Sequence, residues 1–113
     1  MNKRFINTEE NYYQKVAEQG YAMAQYKLAT CYFMGWGVKR DTKMAVKWYE
    51  ETAAQGNVNA QFFLGCLYIV GLFGVEKDRK KGMEFMKKVA EQNYPTAQKI
   101  YDAFQEVELK EEE

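Results

Sequence analysis

The feature that most constrains this chain is that it repeats itself. The segment Ala17-Glu18-Gln19-Gly20 returns as Ala53-Ala54-Gln55-Gly56 and again as Ala90-Glu91-Gln92-Asn93, at steps of 36 and then 37 positions. An Ala-Gln pair follows each copy, as Ala24-Gln25, Ala60-Gln61 and Ala97-Gln98, at the same two steps. Leu28 maps to Leu64, Tyr32 to Tyr68 and Gly35 to Gly71. The loop Gly35-Trp36-Gly37-Val38 becomes Gly71-Leu72-Phe73-Gly74-Val75, and its one inserted residue accounts for the longer second step. Beyond it Asp41 matches Asp78, Ala45 matches Gly82, and Trp48 matches Phe85. A period of this length marks units that bury their apolar faces against neighbouring units, because one unit alone is too small to cover its own.

Within a unit the pattern is helical. Ala45, Trp48, Tyr49, Thr52 and Ala53 fall three and four apart, on one helix face. Asp41 suits the N-cap of that helix, since its carboxylate can accept from unpaired first-turn amides. Gly56 suits the left-handed residue that ends it, and Asn93 is the next best residue for the same role. Ala24, Leu28, Cys31 and Tyr32 line up on a second helix, as do Ala60, Leu64, Leu67 and Tyr68. Ala24, Ala60 and Ala97 are small where paired helices must approach closely. Pro95 fits the first position of a helix, where its missing amide costs nothing. These patterns predict helices at about 8–19, 22–34, 41–55, 58–70, 78–92 and 95–109. They form one domain over residues 1–113, with units at about 7–39, 40–76 and 77–110. Asn7-Thr8-Glu9-Glu10 reads as a capping sequence. The glutamate-rich end after Glu106 reads as a tail that frays, because negative charge opposes the dipole at a helix C-terminus.

Composition narrows the function. Lysine and arginine number 16, as do aspartate and glutamate, so no global field draws the chain onto nucleic acid or anionic lipid. Histidine is absent, which removes the commonest general base and metal ligand. Residues 1–7 carry no apolar run of signal-peptide type, and no stretch approaches the length of a membrane span. The expectation is a cytoplasmic protein whose two cysteines, Cys31 and Cys66, are small buried hydrophobes with free thiols.

The combined motifs resemble the Sel1-like repeat, a relative of the tetratricopeptide repeat. They are Ala53-Ala54-Gln55-Gly56, Ala60-Gln61-Phe62-Phe63-Leu64-Gly65, and Gly35-Trp36-Gly37-Val38 with Asp41; the resemblance spans about residues 9–103. It implies an all-α fold, a right-handed α-solenoid of three antiparallel helix pairs. It also implies an adaptor that binds other proteins, of a kind common in bacteria. The third copy departs from the pattern with Gly82 for alanine and Asn93 for glycine, as suits a terminal unit. Some secreted members pair two cysteines within one repeat, whereas here there is one per repeat. Cys31 and Cys66 fall on helices of neighbouring units, roughly 8–10 Å apart when stacked, beyond the roughly 7 Å a disulfide can bridge.

No catalytic constellation emerges. The glycine loops lack the Lys-Ser/Thr that a phosphate cradle needs. No histidine stands ready to activate a cysteine, and no carboxylate pair sits in an acid/base motif. The chain is read as a non-enzyme without cofactor or metal. Tyr12, Trp48 and Phe85 are repeat-equivalent and read as core pegs. Trp36, Leu72 and Phe73 lie in loops, where packing beneath the turn is the expectation and an exposed contact patch the alternative. Opposite the buried stripe of each first helix runs a polar row: Asn11 and Gln14, then Lys43, Lys47 and Glu50, then Lys80, Glu84 and Lys87. In a solenoid of this kind that row lines the concave side and is the candidate groove for a partner protein or peptide. The expected role is an adaptor or scaffold. The alternative is a small inhibitor or effector, of phage or pathogen type, that occludes a target enzyme. Self-association through the ends of the solenoid is a further option.

Overall fold

The computed structural model describes residues 12–92 and 94–112, apart from the side chains of 104 and 107–112. Among them the chain is helical between turns: residues 12–18 (α1), Ala22–Met34 (α2), Thr42–Ala54 (α3), Val58–Val70 (α4), Arg79–Ala90 (α5) and Pro95–Glu112 (α6). No strand occurs among the described residues. All six expected helices are present. The beginning expected for the first, with the capping segment Asn7-Thr8-Glu9-Glu10, lies outside the described residues, as does Asn93. The last helix continues to Glu112 rather than fraying after Glu106. Residues 105–112 hold neither glycine nor proline, and Glu106 stands four residues before Lys110. Good intrinsic propensity and that pairing outweigh an end-charge penalty of about 0.3–1 kcal/mol.

The helix ends are built as the sequence indicates. Asp41 accepts from the Met44 amide at 3.1 Å, and its repeat-equivalent Asp78 accepts from the Lys81 amide at 3.1 Å. Asn57 caps α4 by accepting from the Ala60 amide at 2.9 Å. Helix α3 closes with Gly56 at φ +90°, its amide on the Ala53 carbonyl and the Asn57 amide on the Thr52 carbonyl. This is the paired C-terminal closure that a left-handed glycine makes cheap. The loop after α2 is pinned by the Asp41 amide on the Tyr32 carbonyl at 2.9 Å, and the loop after α4 by Asp78 on Tyr68 at 2.8 Å.

The chain divides into two compact units, residues 1–60 and 61–113. In the first, Ala17, Ala24 and Leu28 form a buried cluster against which Tyr13, Val16, Tyr32 and Trp48 pack. Helix α3 lies on α2 and buries Ala45, Tyr49, Thr52 and Ala53. Tyr49 meets the Tyr26 ring edge-on at 5.5 Å, and its hydroxyl shares a 2.9 Å hydrogen bond with Thr30. Thr52 donates to the Ala22 carbonyl at 3.0 Å. Gln25 is buried and donates to the Ala17 carbonyl at 3.1 Å, while Gln55 donates to the Gln25 side-chain oxygen at 2.6 Å.

The second unit repeats this plan with different side chains. Leu64, Leu67, Ile69, Met83, Met86, Val89 and Ala97 are buried. Tyr68 and Phe85 stack at 6.3 Å, and Lys81 lies 4.5 Å above the Tyr68 ring. Buried Gln61 accepts from Gln92 at 3.0 Å, the counterpart of the Gln25–Gln55 bond. Helices α4 and α5 cross backbone to backbone at Gly65 and Gly82. A Cβ on Gly82 would sit 2.6 Å from Ile69 Cγ1 and 2.8 Å from the Gly65 carbonyl oxygen. The glycine that departs from the repeat pattern at position 82 therefore answers the glycine at position 65. The first unit has alanine at both equivalents, Ala29 and Ala45. In α6 the residue equivalent to Ala29 and Gly65 is Asp102, which accepts from Gln98 at 2.9 Å on an exposed face.

Gly82→Ala is expected to destabilise the fold by about 1–3 kcal/mol through overpacking, although alanine is the better helix former by about 1 kcal/mol. Urea unfolding measures this, and equal or raised stability would contradict the close crossing. Burial raises the Tyr49 hydroxyl above its ordinary pKa, and the Thr30 hydrogen bond only partly opposes that. The unfolded chain releases this proton first, near about pH 10, so the contribution is intact below that pH and is lost as pH rises through the folded value. Tyr49→Phe should lose about 1 kcal/mol at neutral pH and show a shallower fall in Tm between about pH 9.5 and 11 than the wild type.

Candidate protein-interaction surfaces

The polar row resolves into separate helix faces. Lys43 and Lys47 are exposed on α3, and Lys80, Glu84 and Lys87 are exposed on α5. Glu50 is half-buried, as is Gln14, which donates to Glu18 at 2.7 Å along α1. Asn11 lies outside the described residues. The row therefore offers exposed charges on α3 and α5 within their own units, with Gln14 and Glu50 partly withdrawn from solvent.

The loop residues depart from the packing expectation. Trp36 is 59% exposed, and Leu72 and Phe73 are each 47% exposed. The reason lies in how the loops close. After α2, Gly35 is left-handed, and the Trp36 amide bonds back to the Cys31 carbonyl at 2.9 Å. After α4, the Gly71 amide bonds to the Leu67 carbonyl at 2.7 Å and the Val75 amide to the Leu72 carbonyl at 3.0 Å. Backbone bonds hold both turns, so the side chains are not needed beneath them. Phe73 sits at φ +54°, the one non-glycine residue with positive φ among those described. A bulky residue in that region costs about 1–2 kcal/mol relative to glycine.

The aromatic pegs are also corrected in one copy. Trp48 packs half-buried on the first unit's core, and Phe85 is half-buried against Tyr68. Tyr12 is 64% exposed, because no helix of a preceding repeat lies beneath it among the described residues.

A feature absent from the sequence reading lies on α2. Met23, Tyr26, Lys27 and Thr30 run along one side of the helix, apart from the core stripe of Ala24 and Leu28. With Tyr13 from α1, Cys31, and the loop at Trp36 and Gly37, they line a cavity of about 430 Å³. The signal was the helical spacing 23, 26, 27, 30, masked by the more apolar core stripe beside it. Gln25 and Gln61 carried a visible signal too, a polar residue recurring within a buried stripe. The sequence reading noted the repetition without assigning a role.

Both cysteines are free and half-buried rather than fully enclosed. Burial pushes the Cys66 thiol above its ordinary pKa. No group of three or more metal-ligating acidic or cysteine side chains comes together among the described residues. None of the helices searched is long and apolar enough to cross a membrane.

These features, paired helices at a period of 36 to 37 with glycine-closed loops, define a helical repeat protein. The Sel1 repeat model matches residues 10–21, 22–57 and 58–94, and the chain belongs to the Sel1 repeat family. It is similar to chitin synthase regulatory factor 2 of Schizosaccharomyces pombe, at 31% identity over 86% of this chain and 20% of that protein. Chitin synthase regulatory factor 3 of the same organism is 29% identical over 74% of this chain and 9% of that protein. The chain thus spans about a fifth or less of the length of these curated relatives. Among solved structures, a Sel1 repeat protein from Oxalobacter formigenes matches with a TM-score of 0.78 at 33% identity, over 84% of this chain and 39% of that one. A protective antigen present in uropathogenic Escherichia coli strains, displaying an SLR fold, matches with a TM-score of 0.73 at 34% identity, over 84% of this chain and 20% of that one. The fold class is therefore the all-α solenoid of Sel1-like repeats.

In the native protein, the alkylation rate of Cys66 should rise at higher pH than that of free N-acetylcysteine, because burial disfavours the thiolate. In urea the two profiles should merge. Coincident profiles in the native state would show the thiol to be solvated.

Proposed function

We propose that this protein is an interaction adaptor or scaffold, holding a partner protein or peptide on its repeat surface and doing no chemistry of its own. The observation that carries the reading is Phe73. An apolar ring stands about half exposed in a left-handed backbone conformation that glycine would take at lower cost. Stability does not account for such a residue. Strained, exposed positions of this kind accumulate where a surface is used. Leu72 beside it and Trp36 in the preceding loop are exposed likewise, and aromatic anchors of this type dominate the energetics of protein interfaces. The family supports the reading, since Sel1 repeats are generally protein-interaction modules. The curated relatives, named as regulatory factors, are consistent with action through another protein. The exposed lysines at 43, 47, 80 and 87 are proposed as a second, steering contribution, through charge rather than apolar anchoring. Balanced charge argues against nucleic acid as the partner, and the free thiols suit a cytoplasmic setting.

The test is affinity capture from native lysate with three folded proteins: the wild type, Phe73→Gly, and a Lys43/Lys47/Lys80/Lys87→Glu variant. Phe73→Gly should be at least as stable as the wild type, because relief of about 1–2 kcal/mol of strain offsets the roughly 0.5–1 kcal/mol entropic penalty of glycine. It should nonetheless retain less of the captured protein. The lysine variant should lose capture more steeply at low salt than at high salt. Capture indifferent to both sets of changes would remove the proposed surfaces, and a folded protein that captures nothing would count against an adaptor.

A further inference from the structure

The cavity on α2 is built from residues that the core does not use. Its floor is aromatic. Tyr26 is held in place by the edge of Tyr49 at 5.5 Å. The Thr30 hydroxyl is already engaged, with the Tyr26 carbonyl at 3.0 Å and the Tyr49 hydroxyl at 2.9 Å, so the floor offers ring faces more than open hydrogen-bonding groups. Its rim is apolar and mobile in chemistry, with Met23 63% and Trp36 59% exposed. A thioether on three rotatable bonds and an indole are side chains that adapt to an incoming apolar group. The volume, about 430 Å³, falls within the span of cavities that seat a ligand group.

Charge decides what kind of group fits. Lys27 is the single charged side chain lining the cavity, and no lining residue carries a carboxylate to neutralise it. Its ammonium lies 6.0 Å from the centre of the Tyr13 ring, at the outer limit of a cation–π contact, and remains exposed. A basic segment would set like charge against Lys27. A nucleic-acid strand would find ring faces but only one cation for its phosphates. An acidic segment carrying a bulky apolar side chain satisfies both the rings and the ammonium.

We propose that this cavity is a docking site for an acidic–apolar segment of a partner protein, its apolar side chain on Tyr26 between Met23 and Trp36 and its neighbouring carboxylate on Lys27. The proposal rests on the protein-binding reading above and names the chemistry of the partner.

The full chain is titrated with the synthetic peptide acetyl-Glu-Asp-Phe-Leu-Glu-Asp-amide. Two controls are its all-lysine counterpart, with Lys at the four acidic positions, and its Ala-Ala counterpart, with alanine for Phe-Leu. Binding is read from the Met23 methyl resonance and from the alkylation rate of Cys31, which lines the cavity, with Cys66 as the internal reference. The acidic–apolar peptide should bind at least about fivefold tighter than either control, and it should slow alkylation of Cys31 but not of Cys66. Trp36→Ala should weaken it by about fivefold or more. Lys27→Glu should reverse the order of the acidic and basic peptides. Both substitutions are at exposed positions, and unchanged melting confirms that the variants are folded. Equal binding of the three peptides, binding that leaves Cys31 alkylation unchanged, or indifference to Lys27→Glu would overturn the proposal. So would concentration-dependent dimerisation that the acidic peptide competes away, since the occupant would then be the Glu-rich tail of a second copy. If the peptides fail while Phe73→Gly still reduces capture from lysate, the cavity assignment falls and the adaptor reading stands.

Discussion

Two buried glutamines fix how successive helices meet in this protein. A buried amide left without partners costs about 1–3 kcal/mol, whereas each bond it makes returns only about 1 kcal/mol net. Gln25 therefore does less to strengthen the first unit than to forbid wrong arrangements of it. Its nitrogen is committed to the Ala17 carbonyl and its oxygen to Gln55, so α1, α2 and α3 can slide only by breaking both bonds. Gln61 and Gln92 impose the same condition on α4 and α5. Apolar packing alone would tolerate a range of helix offsets, and the polar pair selects one.

With register fixed in this way, close approach follows. The first unit sets alanine at both sides of its crossing and the second sets glycine at both. In the second, the space is so tight that a single Cβ would meet the opposite backbone. The third copy lacks the arrangement. Asp102 replaces the small residue, and Gln98 turns to it along its own helix. The face that receives a helix in α2 and α4 is thus polar in α6.

Because backbone hydrogen bonds and left-handed glycines close the loops, the loop side chains are free of structural duty. That freedom is what makes the surface informative. Trp36, Leu72 and Phe73 are apolar, exposed and, at Phe73, conformationally costly. The cavity on α2 is of the same kind, an aromatic recess whose walls the core does not need. A repeat scaffold supplies such positions at regular intervals and leaves their chemistry to vary, so the family defines the fold while the exposed residues define the partner.

The sequence by itself determined the six helices, their caps at Asp41 and Asp78, the left-handed turns at Gly20 and Gly56, and the family. These are local properties: a carboxylate reaches an amide three residues on, a glycine relieves one φ angle, and a period of 36 is visible in one dimension. It also placed the exposed lysines of α3 and α5 correctly on the faces away from the core. It erred where a side chain's fate depends on what lies across from it. Trp36, Leu72 and Phe73 were expected beneath their turns, Tyr12 in the core and both thiols fully enclosed. Each outcome instead followed from whether a neighbouring helix or a backbone bond already filled the space. Tertiary structure alone decided the pairing of Gln25 with Gln55, the reason for glycine at position 82, and the cavity beside Lys27. Those three arise from groups brought together from distant points along the chain, and periodicity records which residues face inward without recording what they meet there.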